Sequence, residues 1–197
     1  MNEISLHIKN FLQIQNECVN KIQENTHEID EIIKMIISAR KNKKTIFTMG
    51  NGGSGSTASH FVSDLQKTVI VKNENRIKAI SLVDNIPVIL AWSNDVSFDK
   101  IFEEQLKNQV EKNDIVIAFS GSGKSKNVVN ALKTAKKMGA KCIGFTGKTG
   151  GSFNAICDIT FKVPSNDMLT IESQHVTICH CIASTIRSLG KPMFEYD

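Results

Sequence analysis

Residues 45–63 read TIFTMGNGGSGSTASHFVS: a β-type run, then four glycines among hydroxyl-bearing residues, then a histidine. A glycine-rich turn between a strand and a helix lets backbone N–H groups approach a ligand closely, and the helix N-terminus behind it favours anions. The stretch therefore predicts a strand–loop–helix unit whose loop, Asn51, Gly52, Gly53 and Ser54, faces a phosphate.

The flanking sequence supplies the sheet such a unit needs. Further β-branched and apolar runs occur at 76–82, 114–120, 141–147 and 158–164. Helical patterns separate them at 54–66, 98–110 and 125–138, and a longer one runs from about 168 to 189. Strands that read as near-continuous apolar runs and alternate with helices imply α/β architecture, here a doubly wound five-stranded parallel sheet flanked by helices. Ahead of it, residues 3–41 place Ile4, Ile8, Phe11, Leu12, Ile22, Ile29, Ile32, Ile33, Ile36 and Ile37 at helical spacing, which predicts an N-terminal helical pair. We expect one domain over 1–197, with helices in 1–42 used for oligomer packing and an α/β core in 43–197.

Composition narrows the setting. The 197 residues are 41% hydrophobic, enough to bury a core, and the formal charge of +4 is spread thinly apart from Arg40, Lys41, Lys43 and Lys44. A nucleic-acid groove is therefore not expected. The cysteines at 18, 142, 157, 179 and 181 lack CxxC spacing and fit reduced thiols, so a cytoplasmic protein is expected. The sequence shows no basic-then-apolar leader pattern and no apolar run of membrane-spanning length, so no membrane association is expected.

In a doubly wound sheet, ligands bind beyond the carboxyl ends of the strands. The third predicted strand ends in Ser120-Gly121-Ser122-Gly123-Lys124-Ser125, a second loop of hydroxyls and backbone N–H groups opening a helix. Ser120, Gly121, Ser122 and Ser125 are expected to hold the phosphate. Neither loop reads GxxxxGK[ST] or GxGxxG in the dinucleotide sense, which speaks against ATP and NAD.

Ionisable residues lie nearby in sequence. His60 and Asp64 stand at i and i+4 on the helix after the first loop, so both project from one face. On the last helix Glu172 and His180 are eight residues apart, a rise of about 12 Å with an offset of about 80°, so they share a side but would strain to reach one ion. Cys179 and Cys181 flank His180 but point about 100° away on a helix and fit packing. His7, His27 and His175 read as ordinary helix positions, Met168 as a core or tail contact, and Asp95 as a turn residue able to cap the next helix.

GNGGSxxxxxH at 50–60, SLVDNIPVILAWSND at 81–95, FSGSGKSKNV at 119–128, FTGKTGG at 145–151 and VPSNDMLTIESQHVTICH at 163–180 resemble, in order and spacing, the phosphoheptose isomerases of the sugar isomerase (SIS) fold. The resemblance implies an aldose–ketose isomerase converting sedoheptulose 7-phosphate to D-glycero-D-manno-heptose 7-phosphate for bacterial surface polysaccharide, lipopolysaccharide or capsule. It further implies Asp64 and His180 as the acid/base pair, and a zinc ion held by His60, Asp64, Glu172 and His180. Glu172, Asn94 and Asp95 would face the sugar, and the enzyme would be a homotetramer with sites shared between subunits. The chain departs from the family pattern at Asp64, where Glu is usual, at Glu172, where Gln is usual, at Thr170, where Arg is usual, and at Thr57, often acidic. A non-catalytic SIS protein that binds a phosphosugar or a partner protein is the alternative.

Overall fold

A computed structural model describes residues 2–194. Strands β1 (Thr45–Gly50), β2 (Lys78–Ser81), β3 (Ile115–Phe119), β4 (Lys141–Thr146) and β5 (Ile159–Lys162) form one parallel sheet in the order β2-β1-β3-β4-β5. Every expected strand is present. Each is trimmed at one or both ends except β1, because the flanking residues turn into loops.

The sheet separates two apolar layers, as the period-two alternation of strand side chains requires. Ile46, Ile115, Ile117, Phe119, Ile143 and Phe145 face one layer, whereas Phe47, Met49, Val116, Ala118 and Cys142 face the other. The first layer is covered by α2 (His27–Lys41), α3 (Gly53–Ser63) and α8 (Met168–Ser188), the second by α5 (Glu103–Gln109), α6 (Lys126–Lys137) and the short α7 (Phe153–Ile156). Phe61, Phe119, Phe145 and Phe153 are fully buried, each contributing roughly 1.5–3 kcal/mol of apolar burial.

The N-terminal pair divides its work. α2 turns Ile29, Ile32, Ile33, Ile36 and Ala39 into the chain's own core. α1 (Glu3–Gln23) buries only Cys18 and Ile22 and exposes Ile4, Leu6, Ile8, Leu12 and Ile14. It is attached to α8 through Gln15, whose amide nitrogen donates to the Thr170 hydroxyl at 2.8 Å and whose carbonyl accepts from Gln174 at 3.0 Å. Apolar surface available for oligomer packing within 1–42 therefore lies on α1.

The sequence reading missed α4 (Ile86–Asp95) and α7. α4 starts where the Asn85 side chain accepts from the Val88 N–H and Pro87 occupies the first turn. Its sequence IPVILAWSND has no apolar stripe, and the helix buries no residue. Asn94 and Asp95 consequently end a helix rather than occupy a turn. The expected helix over 98–110 is split into a 3₁₀ turn at Phe98–Lys100 and α5.

His175 is no ordinary helix position. It is completely buried on α8 between Phe119 and Phe145, with Nε2 3.3 Å from the Thr146 carbonyl and Nδ1 without a hydrogen-bond partner among the described residues. A carbonyl only accepts, so Nε2 carries the proton. Burial pushes the imidazole down to about 4 from its ordinary 6.5. The folded group stays neutral while the unfolded one protonates, so this contribution is complete above pH 6.5 and is lost as pH falls toward 4, about 3 kcal/mol in all. Urea midpoints at pH 7 and pH 4 should differ accordingly, and His175→Gln should flatten that difference.

Candidate active site

β1 and β3 are neighbours with Gly50 opposite Phe119, and the connections from them leave in opposite directions across the sheet. Their carboxyl ends form the topological switch point where such sheets bind ligands. From β1 the chain turns through Gly52, at φ +54°, directly into α3. A residue with a side chain is strained at that angle. From β3 it turns through Ser120–Ser125 into α6.

Between these loops lies a 230 Å³ cavity lined by Asn51, Ser54, Phe119, Ser120, Gly121, Ser122, Ser125, Met168 and Glu172. The Ser120 hydroxyl is 3.3 Å from that of Ser125 and 3.5 Å from that of Ser122. Ser125 stands at the N-cap of α6 without making a side-chain cap bond, so its hydroxyl and the first N–H groups of α6 remain available to an anion. Gly53 opens α3 beside the cavity, and a Cβ there would collide with the Glu172 carboxylate. Asn94 and Asp95 do not line this cavity; both are exposed, with the Asn94 amide donating to the Asp95 carboxylate at 2.8 Å.

The loop after β4 props the second loop from behind. Gly147 N–H donates to the Gly121 carbonyl and Ser152 N–H to the Gly123 carbonyl, both at 2.9 Å. Gly123 has φ +62°, and a Cβ there would run into the Gly150 carbonyl. A larger cavity, 620 Å³, opens at the opposite, amino ends of β1, β3 and β4 beside Lys44, Asn113 and Lys141. It has no glycine-rich loop at a helix start, so volume is a poor guide here.

Two turns along α3 from the loop, His60 and Asp64 meet His180 of α8. The two Nε2 atoms are 2.7 Å apart, and the Asp64 Oδ2 lies 3.5 Å from that of His60 and 3.7 Å from that of His180. The helix widens into a π turn over Asp64–Thr68, a distortion common at functional positions. The Thr68 hydroxyl, four residues on, donates to Asp64 Oδ1 at 3.0 Å. Asp64 is buried and its Oδ2 has no hydrogen-bond partner among the described residues, whereas both histidines are exposed. An orphaned carboxylate oxygen facing two imidazole nitrogens fits a divalent cation, and the donor set suits zinc.

Three of the four expected ligands therefore converge: ligand atoms of His60, Asp64 and His180 lie within 4.8 Å of one another. Glu172 stands outside that group, on the wall shared by the 230 Å³ cavity and an adjoining cavity lined by Thr57, His60 and Ser173. The eight-residue separation on α8 explains the gap. It does not keep His180 from His60 and Asp64, so a neighbouring subunit is not needed to bring these three together. Sequence reasoning missed Met168, which overhangs Gly121 half-exposed, and Thr68, which carries only the weak signal of lying four residues after Asp64.

Zinc titrated calorimetrically into chelator-treated protein should bind at one ion per chain. His60→Ala and His180→Ala should each weaken binding at least tenfold, because each removes one of three converging donors.

The model of the SIS domain family matches residues 10–147. The phosphoheptose isomerase of Aliarcobacter butzleri is 37% identical over 180 residues, covering 91% of this chain and 94% of its own. That of Campylobacter concisus is 34% identical over 186 residues, covering 94% and 93%. The solved phosphoheptose isomerase from Francisella tularensis superposes with a TM-score of 0.88 at 26% identity, covering 95% of this chain and 100% of its own. Fold, loop positions and near full-length similarity agree: the chain belongs to the phosphoheptose isomerase family of SIS-domain proteins.

Proposed function

We propose that the protein is an aldose–ketose isomerase that converts sedoheptulose 7-phosphate to D-glycero-D-manno-heptose 7-phosphate. The observation that carries this reading is α3, whose start borders the phosphate cavity and whose second and third turns carry His60 and Asp64 against His180. Phosphate is a handle; the chemistry takes place at the far end of the sugar.

The ketose holds its carbonyl at C2. Asp64 Oδ2, the carboxylate oxygen left unpaired by Thr68, removes a proton from C1, and the electrons of that C–H bond form the C1=C2 double bond of an enediol. The same proton returns to C2 as the double bond collapses to a C1 carbonyl. His180 moves the accompanying hydroxyl hydrogen, giving one to O2 and taking one from O1, so the net change is a relocated carbonyl. His60, Asp64 and His180 would also be the residues to hold a zinc ion, which would supply Lewis-acid stabilisation of negative charge on oxygen; Asp64 Oδ2 and His180 transfer protons only while not ligated to it. Glu172, Asn94 and Asp95 are proposed sugar contacts, Glu172 from the wall between the two cavities.

The protein is further proposed to act in the cytoplasm as a homotetramer, in heptose synthesis for surface polysaccharide. No helix among the described residues is long and apolar enough to cross a membrane. The apolar exposed residues of α1, together with Ile86, Leu90, Val96 and Phe98 on and after α4, support association between chains. Subunit contacts at α4 would also supply surroundings for the exposed Asn94–Asp95 pair.

Incubation of the protein with sedoheptulose 7-phosphate, with and without zinc, should give the heptose product by NMR. No turnover under either condition refutes the isomerase and leaves the non-catalytic alternative. His180→Ala should lower kcat about 10²-fold or more. Ser125→Ala should instead raise KM with little change in kcat, since phosphate is held alike in ground and transition states.

A further inference from the structure

Asn127 is a motif residue, in SGSGKSKNV, to which the mechanism gives no task. It lies in the first turn of α6 and is 2% exposed. Its side-chain amide pairs with that of Asn51, in the loop after β1, through two reciprocal hydrogen bonds. Asn127 Nδ2 donates to Asn51 Oδ1 at 2.8 Å, and Asn51 Nδ2 donates to Asn127 Oδ1 at 3.0 Å.

The orientation of this pair is determined. The Val128 N–H donates to Asn127 Oδ1 at 2.9 Å, and an N–H has no acceptor role, so oxygen rather than nitrogen must face it. With Asn127 set, the carbonyl of Asn51 must face the Asn127 amide nitrogen. Two hydrogen bonds then fix the plane of the Asn51 amide, leaving it one N–H to offer a ligand. Asn51 lines the 230 Å³ cavity together with Ser120, Ser122 and Ser125. A spare donor is what phosphate oxygens require.

We infer that Asn127 is a positioning residue: it holds the Asn51 amide with its free N–H toward the bound phosphate, and it ties the two phosphate loops to each other. The inference rests on the reading of this cavity as the phosphate seat. A buried apolar pair of similar shape would stabilise the fold about as well. What the amide pair adds is one enforced geometry across loops that are 76 residues apart.

The test uses Asn127→Leu, which keeps the volume but removes both hydrogen bonds to Asn51 together with the one from the Val128 N–H, Asn51→Ala, and the double variant. Readouts are the affinity for inorganic phosphate, from NMR titration, and KM and kcat with sedoheptulose 7-phosphate. Each single variant should weaken phosphate binding about tenfold, raise KM in step, and leave kcat within about threefold. The double variant should be no worse than Asn51→Ala, because Asn127 acts through Asn51. Unchanged phosphate affinity in Asn127→Leu, or losses that multiply in the double variant, would overturn the inference.

If Asn127→Leu does not fold, Asn127→Asp serves in its place. It retains the Val128 bond but sets an acceptor against Asn51 Oδ1, and must also weaken phosphate binding. In the wild type, the Asn127 side-chain NH₂ should exchange slowly and lose that protection in Asn51→Ala; unaltered exchange refutes the pairing. A wild type that binds phosphate but turns over no sugar refutes the isomerase alone, since the phosphate measurements still decide the role of Asn127.

Discussion

The parallel pairing of β1 with β3 is the constraint on which the site depends. Because these strands are adjacent in space but not in sequence, the chains leaving Gly50 and Phe119 emerge side by side and diverge to opposite faces of the sheet. That divergence opens the cavity. It also aims two helix starts, those of α3 and α6, at one point, so the anion is met by backbone N–H groups and hydroxyls. No lysine or arginine lines the cavity. A phosphate bound there as proposed would be fixed in position without a flexible cationic arm.

The second half of the site comes from α8, and glycines decide how close it can lie. Gly53 accommodates the Glu172 carboxylate and Gly121 the Met168 thioether, so the start of α8 presses against both phosphate loops. Farther along, His175 donates to the Thr146 carbonyl from within the aromatic layer. That bond adds to the buried face of α8, from Thr170 to Ile186, in setting how the helix lies between Glu172 and His180. A buried histidine kept neutral is thus part of what carries His180 to His60 and Asp64.

Much of this was legible in the residues. Strand positions follow from β-branched runs bounded by turn residues, and His60 with Asp64 from a simple i, i+4 relation. What escaped has physical causes. α4 is apolar along most of its length but buries no residue fully, only Ile89 and Trp92 packing partly against the core, so the periodicity that marks a packed helix is weak. The π turn at Asp64 leaves no compositional trace. Asn127 and His175 act through partners 76 and 29 residues away, and such pairings become visible only when the sheet brings them together. His180 reaches His60 and Asp64 within one chain because helix α8 lies alongside α3, whereas Glu172, eight residues earlier, stays outside that group.

Asp64 bears on how the departures from the usual family residues are accommodated. Aspartate is one methylene shorter than glutamate, which would draw its carboxylate back from anything the longer side chain reached. Here the π turn widens the backbone at that position, and Thr68 engages Oδ1 while Oδ2 remains directed at the two imidazoles. The shorter acid thus sits at a local change in helix geometry, with Oδ1 engaged by Thr68 and Oδ2 without a hydrogen-bond partner among the described residues. Glu172 represents the opposite change, a neutral amide replaced by an acid. Its carboxylate stands against Gly53 at the start of α3, where the positive end of the helix favours an anion. A phosphate bound as proposed would place a second negative group beside this carboxylate in the same small cavity, and the helix starts of α3 and α6 would have to serve both.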